Sequence, residues 1–214
     1  MKRFNTVIFD VDSTLSGIEG IDWLAAQRGP EIAAWSAGLT EKAMQGEIPI
    51  EAVYGERMRM VKPTLPEVQQ LGEVYIERIA PGAVETIAAL RAHGVEVVLV
   101  SGGLRQAILP LARHLGVDEE KVHAVSVFFD QDGAYAGFDD ASLLTRQSGK
   151  RTLVGQMHLK GPILAVGDGM TDLEIKSVVQ GFAAFTGFTR RDPVIEQADY
   201  VVENFDQLRT LILA

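Results

Sequence analysis

Three short apolar runs set the architecture: Thr6–Phe9, Val95–Val100 and Ile163–Val166 each stop at a polar loop of Ser, Gly or Asp residues, with a helical pattern behind it. A strand buried on both faces reads as such an unbroken run, whereas a half-solvated strand alternates. Strand, loop and helix in repetition predict an α/β fold with a parallel sheet. Ligands of open parallel sheets sit beyond the carboxyl ends of the strands. The residues that follow each run are therefore the first place to look for chemistry.

The rest of the 214 residues is ordered around those runs. A helix is expected from Pro81, a good first-turn residue, to Gly94, a good stop, and another over Leu104–Leu115 despite Pro110. Between Gly17 and Arg78 there is no strand-like run, only helical patterns at Ile21–Arg28, Glu31–Ala37, Glu51–Val61 and Glu67–Arg78. The expectation is a core domain of residues 1–16 and 79–214, with 17–78 inserted as a helical cap over the strand ends. Val122–Phe129 and Ala134–Phe138 read as a hairpin about Asp132-Gly133, a strong turn signal. Short strands are expected near Phe182–Phe185 and Tyr200–Val202, and an amphipathic helix from Phe205.

Composition removes several function classes. With no cysteine there are no disulfides, zinc–thiolate sites, iron–sulfur clusters or thiol nucleophile. The basic start Met1-Lys2-Arg3 is followed by an apolar run that Asp10 and Asp12 cut short, so it does not read as a secretory leader. No uncharged apolar stretch approaches the ~20 residues of a membrane span. A soluble protein is expected, with a cytoplasmic home. A net charge of −9 argues against nucleic acid and anionic membranes as partners, because both attract basic faces. An anionic small molecule would need a local concentration of positive charge.

The loops after the three runs supply the chemistry. They are Asp10-Val11-Asp12-Ser13-Thr14, Ser101-Gly102-Gly103 and Gly167-Asp168-Gly169-Met170-Thr171-Asp172. Asp10 and Asp12 lie two apart at a strand end, so their side chains project to one side, and two like charges there need a cation or a proton between them. With Asp168 at another strand end and no His or Cys nearby, the donor set suits a hard cation, and Mg2+ is the natural choice. Ser101-Gly102-Gly103 offers a hydroxyl and open amides at an expected helix start, a cradle for phosphate. Gly149-Lys150-Arg151-Thr152 fails as a P-loop, since Leu144 stands where glycine is needed and Arg151 where Ser or Thr is needed. Lys150 alone reads as a solvated lysine; beside the converging loops it becomes a point charge for an anion. His93, His114, His123 and His158 lack metal-ligand spacing.

In order and spacing, those three loops and Lys150 resemble the four motifs of the haloacid dehalogenase (HAD-like) superfamily phosphatases. Ser13 and the run Ser16-Gly17-Ile18-Glu19-Gly20-Ile21-Asp22 look more narrowly like the phosphoserine phosphatase family, as does Thr40–Gly46 followed by Arg57. The resemblance implies a HAD-like Rossmannoid parallel sheet flanked by helices, with a small helical cap inserted after the first strand. It implies a Mg2+-dependent phosphomonoesterase that hydrolyses O-phospho-L-serine to L-serine and phosphate, as in serine biosynthesis. Asp10 would attack phosphorus, and Asp12 would serve as acid and then base. Mg2+ would be held by Asp10, Asp168 and the backbone carbonyl of Asp12, with Asp172 supporting that shell. Ser101, Gly102, Gly103, Lys150 and Thr171 would bind the phosphoryl group or substrate. Glu19 would meet the substrate ammonium, Arg57 its carboxylate, and Met44 would cover its stem. Two alternatives stay open: a related phosphatase or phosphotransferase for another small phosphate ester, and a non-catalytic binding protein on the same fold. The oligomeric state is not legible in the sequence.

Overall fold

The computed structural model describes residues 2–214. Six strands form one parallel sheet: β1 (Thr6–Phe9), β2 (Glu96–Leu104), β3 (Val122–Val125), β6 (Ile163–Gly167), β7 (Gly181–Phe185) and β8 (Tyr200–Val202), in the order β3-β2-β1-β6-β7-β8. β1 and β7 are buried at every residue, which is why they carry unbroken apolar runs. β1 is central, flanked by β2 and β6, and the chain reverses its direction across the sheet there. That switch point places Asp10 at the mouth of the crevice where such sheets bind ligands. α5 (Ala83–Ala92), α6 (Arg105–His114), α7 (Gly149–Gln156) and α10 (Phe205–Leu213) belong to the crossovers and the tail. The short helices α8 (Met170–Leu173) and α9 (Asp192–Ile195) follow β6 and β7.

Between β1 and α5 lie only helices: α1 (Gly20–Ala26), α2 (Pro30–Gln45), α3 (Tyr54–Val61) and α4 (Leu65–Glu77), with a 3₁₀ turn at Ile50–Ala52. The two connections to this segment run side by side: Gly17 N–H donates to Arg78 O at 2.9 Å and Ala80 N–H to Leu15 O at 2.8 Å. α4 shows a buried stripe of Val68, Leu71, Gly72 and Tyr75 at helical spacing. It packs closely on α6, since a Cβ at position 72 would come within 3.1 Å of the Pro110 ring. Pro110 stays inside an unbroken helix, as expected.

Three local expectations need correction. The helix after Pro81 begins at Ala83, because Gly82 adopts a left-handed φ of 80° that no helix contains. The expected strand Val122–Phe129 is two strands: β3 joins the main sheet beside β2, and only β4 (Val127–Phe129) pairs with β5 (Tyr135–Phe138). Apolar alternation does not reveal which partner a strand takes, and the parallel edge offered by β2 captures the first half. α2 runs to Gln45 rather than stopping near Ala37, carrying Gly38 at a cost of about 1 kcal/mol that a long helix absorbs. Among the described residues, no helix is long and apolar enough to cross a membrane.

Candidate active site

At the end of β1 the backbone continues its pairing with β6, Asp10 N–H donating to Val166 O at 3.0 Å, and this orients the Asp10 side chain into the crevice. Lys150, the second residue of α7, is 8 % exposed rather than solvated. Its Nζ donates to Asp10 Oδ1 and to Asp172 Oδ1, both at 2.7 Å. Asp168 follows β6 and accepts from Thr14 Oγ1 at 3.4 Å and from the buried guanidinium of Arg191. Carboxylate oxygens of Asp10, Asp168 and Asp172 lie within 4.8 Å of one another.

So many buried anions are unfavourable unless matched by positive charge. Burial above all, and then the charge of Asp172, push the Asp10 carboxyl up to about 7 although Lys150 opposes them. Burial alone would depress the Lys150 ammonium, but Asp10 and Asp172 outweigh it and hold it above its usual range. A buried, oxygen-only cluster whose central carboxylate is still short of positive charge suits a hard divalent cation. These residues fit magnesium.

Asp12, partly buried, is held differently. Its Oδ1 accepts from Gly20 N–H at 2.6 Å and Tyr75 Oη at 2.7 Å, and its Oδ2 from Ser101 Oγ at 3.3 Å. Burial raises its pKa, while the bonds from Gly20 and Tyr75 pull the other way. Ser101-Gly102-Gly103 does not open a helix as expected: it continues β2, and α6 starts only at Arg105. Within that extended path the Gly103 amide is committed to Ser101 Oγ at 2.9 Å, and Gly102 O accepts from Tyr54 Oη at 2.9 Å.

The helical insertion forms the opposite wall. Glu19 accepts from Ser13 Oγ at 2.7 Å, and burial, reinforced by the charge of Asp12, pushes its carboxyl up to about 8. Arg57 on α3 is buried and donates from Nη2 to Asp22 Oδ1 at 2.7 Å and from Nε to Ser36 Oγ at 3.1 Å. Glu19, Met44 and Arg57 line the same cavity as Asp10, Asp12, Gly102, Gly103, Lys150, Asp168 and Thr171. Ser101 and Asp172 reach it through their bonds to Asp12 and Lys150. The hydroxyls of Thr40, from α2, and of Thr171 are buried in its walls with no hydrogen-bond partner among the described residues. Such orphaned groups await a ligand or water.

Sequence reasoning did not single out Tyr54, Tyr75, Asp22, Ser36 or Arg191. The two tyrosines sit on apolar helix faces, where an aromatic reads as core. Arg191 lies 23 residues beyond Asp168, and no local motif links them.

Residues 7–175 match the family model of the haloacid dehalogenase-like hydrolases. The chloroplastic phosphoserine phosphatase of Arabidopsis thaliana is 35 % identical over 214 aligned residues, covering 97 % of this chain and 71 % of the plant protein. A phosphoserine phosphohydrolase-like protein from Francisella tularensis superposes with a TM-score of 0.86 at 27 % identity, over 99 % of this chain and all of the other. A solved phosphoserine phosphatase carrying an analogue of its phospho-aspartyl intermediate superposes with a TM-score of 0.82 at 25 % identity, over 97 % and 98 % of the two chains. The sheet topology, the acidic crevice at the end of β1 and these likenesses agree: the chain belongs to the haloacid dehalogenase-like hydrolases, as a phosphoric monoester hydrolase.

Proposed function

We propose that this hydrolase splits O-phospho-L-serine into L-serine and phosphate through a phospho-aspartyl intermediate on Asp10. One observation carries the reading: a single cavity has the carboxylate cluster with Lys150 at one end and Glu19 with Arg57 at the other. The first suits a phosphoryl group with its metal, the second a zwitterionic amino acid. Residues 17–78 then act as a cap that reads the substrate, over a core of 1–16 and 79–214.

Asp10 Oδ2, which carries no hydrogen bond among the described residues, attacks phosphorus. The bond from phosphorus to the serine oxygen breaks as Asp12 gives that oxygen its proton. Asp12, now a carboxylate, takes a proton from the water that opens the acyl phosphate, and inorganic phosphate leaves. Asp10, Asp168 and the backbone carbonyl of Asp12 would hold Mg2+, supported by Asp172; when bound, it supplies positive charge against the phosphoryl oxygens. Lys150, Ser101, Thr171 and the Gly102 amide hold those oxygens in place, while the Gly103 amide steadies Ser101 Oγ.

At the other end, a substrate ammonium beside Glu19 offsets the burial and the Asp12 charge that favour its neutral form. Ser36 and Asp22 take Nε–H and one Nη2–H of Arg57, which leaves both Nη1 hydrogens and the second Nη2 hydrogen for the substrate carboxylate. Met44 covers the short stem between the two ends.

A panel of phosphorylated metabolites, with and without acceptor alcohols and with metal removed or restored, tests this. Phosphoserine should be preferred, phosphate should go to water, and chelation should abolish turnover until magnesium is added. Preference for another ester, transfer to an alcohol, or full activity after exhaustive chelation would each overturn the corresponding part.

A further inference from the structure

A carboxyl that must hand its proton to one leaving oxygen has two oxygens on which to carry it. Asp12 Oδ1 receives Gly20 N–H at 2.6 Å and the Tyr75 hydroxyl at 2.7 Å. A carboxyl oxygen has two lone pairs, and these donors occupy both. Oδ2 receives only the looser 3.3 Å bond from Ser101, the residue assigned above to the phosphoryl oxygens.

Tyr75 comes from α4 and is fully buried, with its carbonyl held by Ser16 Oγ at 3.0 Å and its helix packed on α6. Its ring therefore has little freedom to swing away. The hydroxyl reaches Asp12 because residue 20 is glycine: a Cβ there would lie 2.1 Å from Tyr75 Oη. Asp12 is the only hydrogen-bond partner of that hydroxyl among the described residues, and the ring's packing alone would accept phenylalanine.

We propose that Tyr75 is a positioning residue: with the Gly20 amide it occupies Oδ1 and confines the exchangeable proton of Asp12 to Oδ2, the oxygen on the Ser101 side. This rests on the acid and base roles given to Asp12 above. In the forward step the Oδ2–H bond breaks, its proton goes to the serine oxygen as that oxygen leaves phosphorus, and the Asp12 carboxylate keeps both Oδ1 bonds. In the second step Oδ2 takes the proton of the attacking water, and the carboxyl is restored. Without the hydroxyl the proton divides between two oxygens and the carboxyl can turn.

Leaving-group dependence separates this from a packing role. For an alkyl ester such as phosphoserine the departing oxygen needs a proton, whereas nitrophenolate departs without one. The quantity to compare is kcat/KM, which reports events up to phosphoryl transfer to Asp10. Tyr75→Phe should lower kcat/KM for phosphoserine about tenfold, with KM nearly unchanged, and change p-nitrophenyl phosphate by less than about twofold. Gly20→Ala, whose Cβ would lie 2.1 Å from Tyr75 Oη and 3.3 Å from Asp12 Oδ1 and so parts the pair while keeping the tyrosine, should show the same split and decides the matter should Tyr75→Phe fail to fold. Equal losses on both esters, or none on either, would overturn the role of Tyr75. Asp12→Asn is the reference, with a steeper version of the same split expected. If Asp12→Asn shows the split and the Tyr75 and Gly20 variants do not, only this inference falls. If Asp12→Asn strikes both esters alike, the acid role of Asp12 fails and takes that of Tyr75 with it.

Discussion

The two ends of the cavity are built by different means. At the end that holds the carboxylate cluster, Asp10 and Asp168 stand just past β1 and β6, Ser101 lies within β2 beyond its last pairing with β1, and their spacing is inherited from backbone pairing across β2, β1 and β6. At the other end, Glu19 and Arg57 belong to the helical insertion, and side-chain bonds fix them: Ser13 to Glu19, and Asp22 with Ser36 to Arg57. Strand ends are hard to move without breaking the sheet, whereas a helix wall changes with one substitution. On the proposed function, the chemistry would be lodged in the rigid half and substrate choice in the adjustable half.

That division is most sharply tested at Asp10. Asp10→Asn should fold and lose turnover on every ester by about a thousandfold or more, because an amide is a poor nucleophile and a poor metal ligand. Turnover within tenfold of the parent would remove Asp10 as the nucleophile. Arg57→Ala should act on only one class of substrate. It should lower kcat/KM for phosphoserine by about 2 kcal/mol, the scale of a charge-assisted hydrogen bond, and leave a small aryl phosphate nearly unchanged. Equal losses on both would place Arg57 in the fold or the chemistry rather than in recognition.

A gentler perturbation reaches Arg57 through its support. Asp22→Asn keeps the size but removes the charge that holds Nη2, and should cost phosphoserine about 1 kcal/mol, chiefly in KM, with the aryl ester again spared. An unchanged KM would mean that Ser36 alone fixes the guanidinium. The smallest effect is expected at Glu67, where α4 meets the end of α1. Arg28 donates to both Glu67 oxygens at 2.6 Å, and these bonds, opposed by some burial, lower the Glu67 carboxyl to about 2. Because the folded-state pKa lies below the unfolded one, the stabilisation is present above about 4.5 and is lost as pH falls toward 2. Glu67→Gln should therefore cost about 0.5 kcal/mol in urea unfolding at pH 7, with the difference from the parent shrinking through that acid range. A constant difference across it would mean that the loss is not electrostatic.

Legibility in the sequence followed the same division. β1 and β8 fall on the expected residues, the α10 start is Phe205 as expected, and the three polar loops do converge on one crevice. Less visible was how Ser101-Gly102-Gly103 runs, because glycine allows either a helix start or an extended path, and β3, which pairs with β2 again at Leu104–Val125, favours the extended one. The split of Val122–Phe129 between two sheets was equally hidden, since a parallel edge and a hairpin partner favour the same apolar residues.

The sequence by itself determined the βα order, the burial of the central strands and the placement of Asp10, Asp12 and Asp168 at strand ends, because strand and helix periodicities are written within a few residues. Only the tertiary structure decided that Tyr75 meets Asp12 across 63 positions and that Arg191 and Lys150 close on the carboxylates from separate segments of the chain. Those contacts depend on how near two packed elements come, as at Gly72 against Pro110, where about one methyl group of volume sets whether α4 can lie on α6. Close packing is a property of surfaces distant in the chain, and no local pattern of residues encodes it.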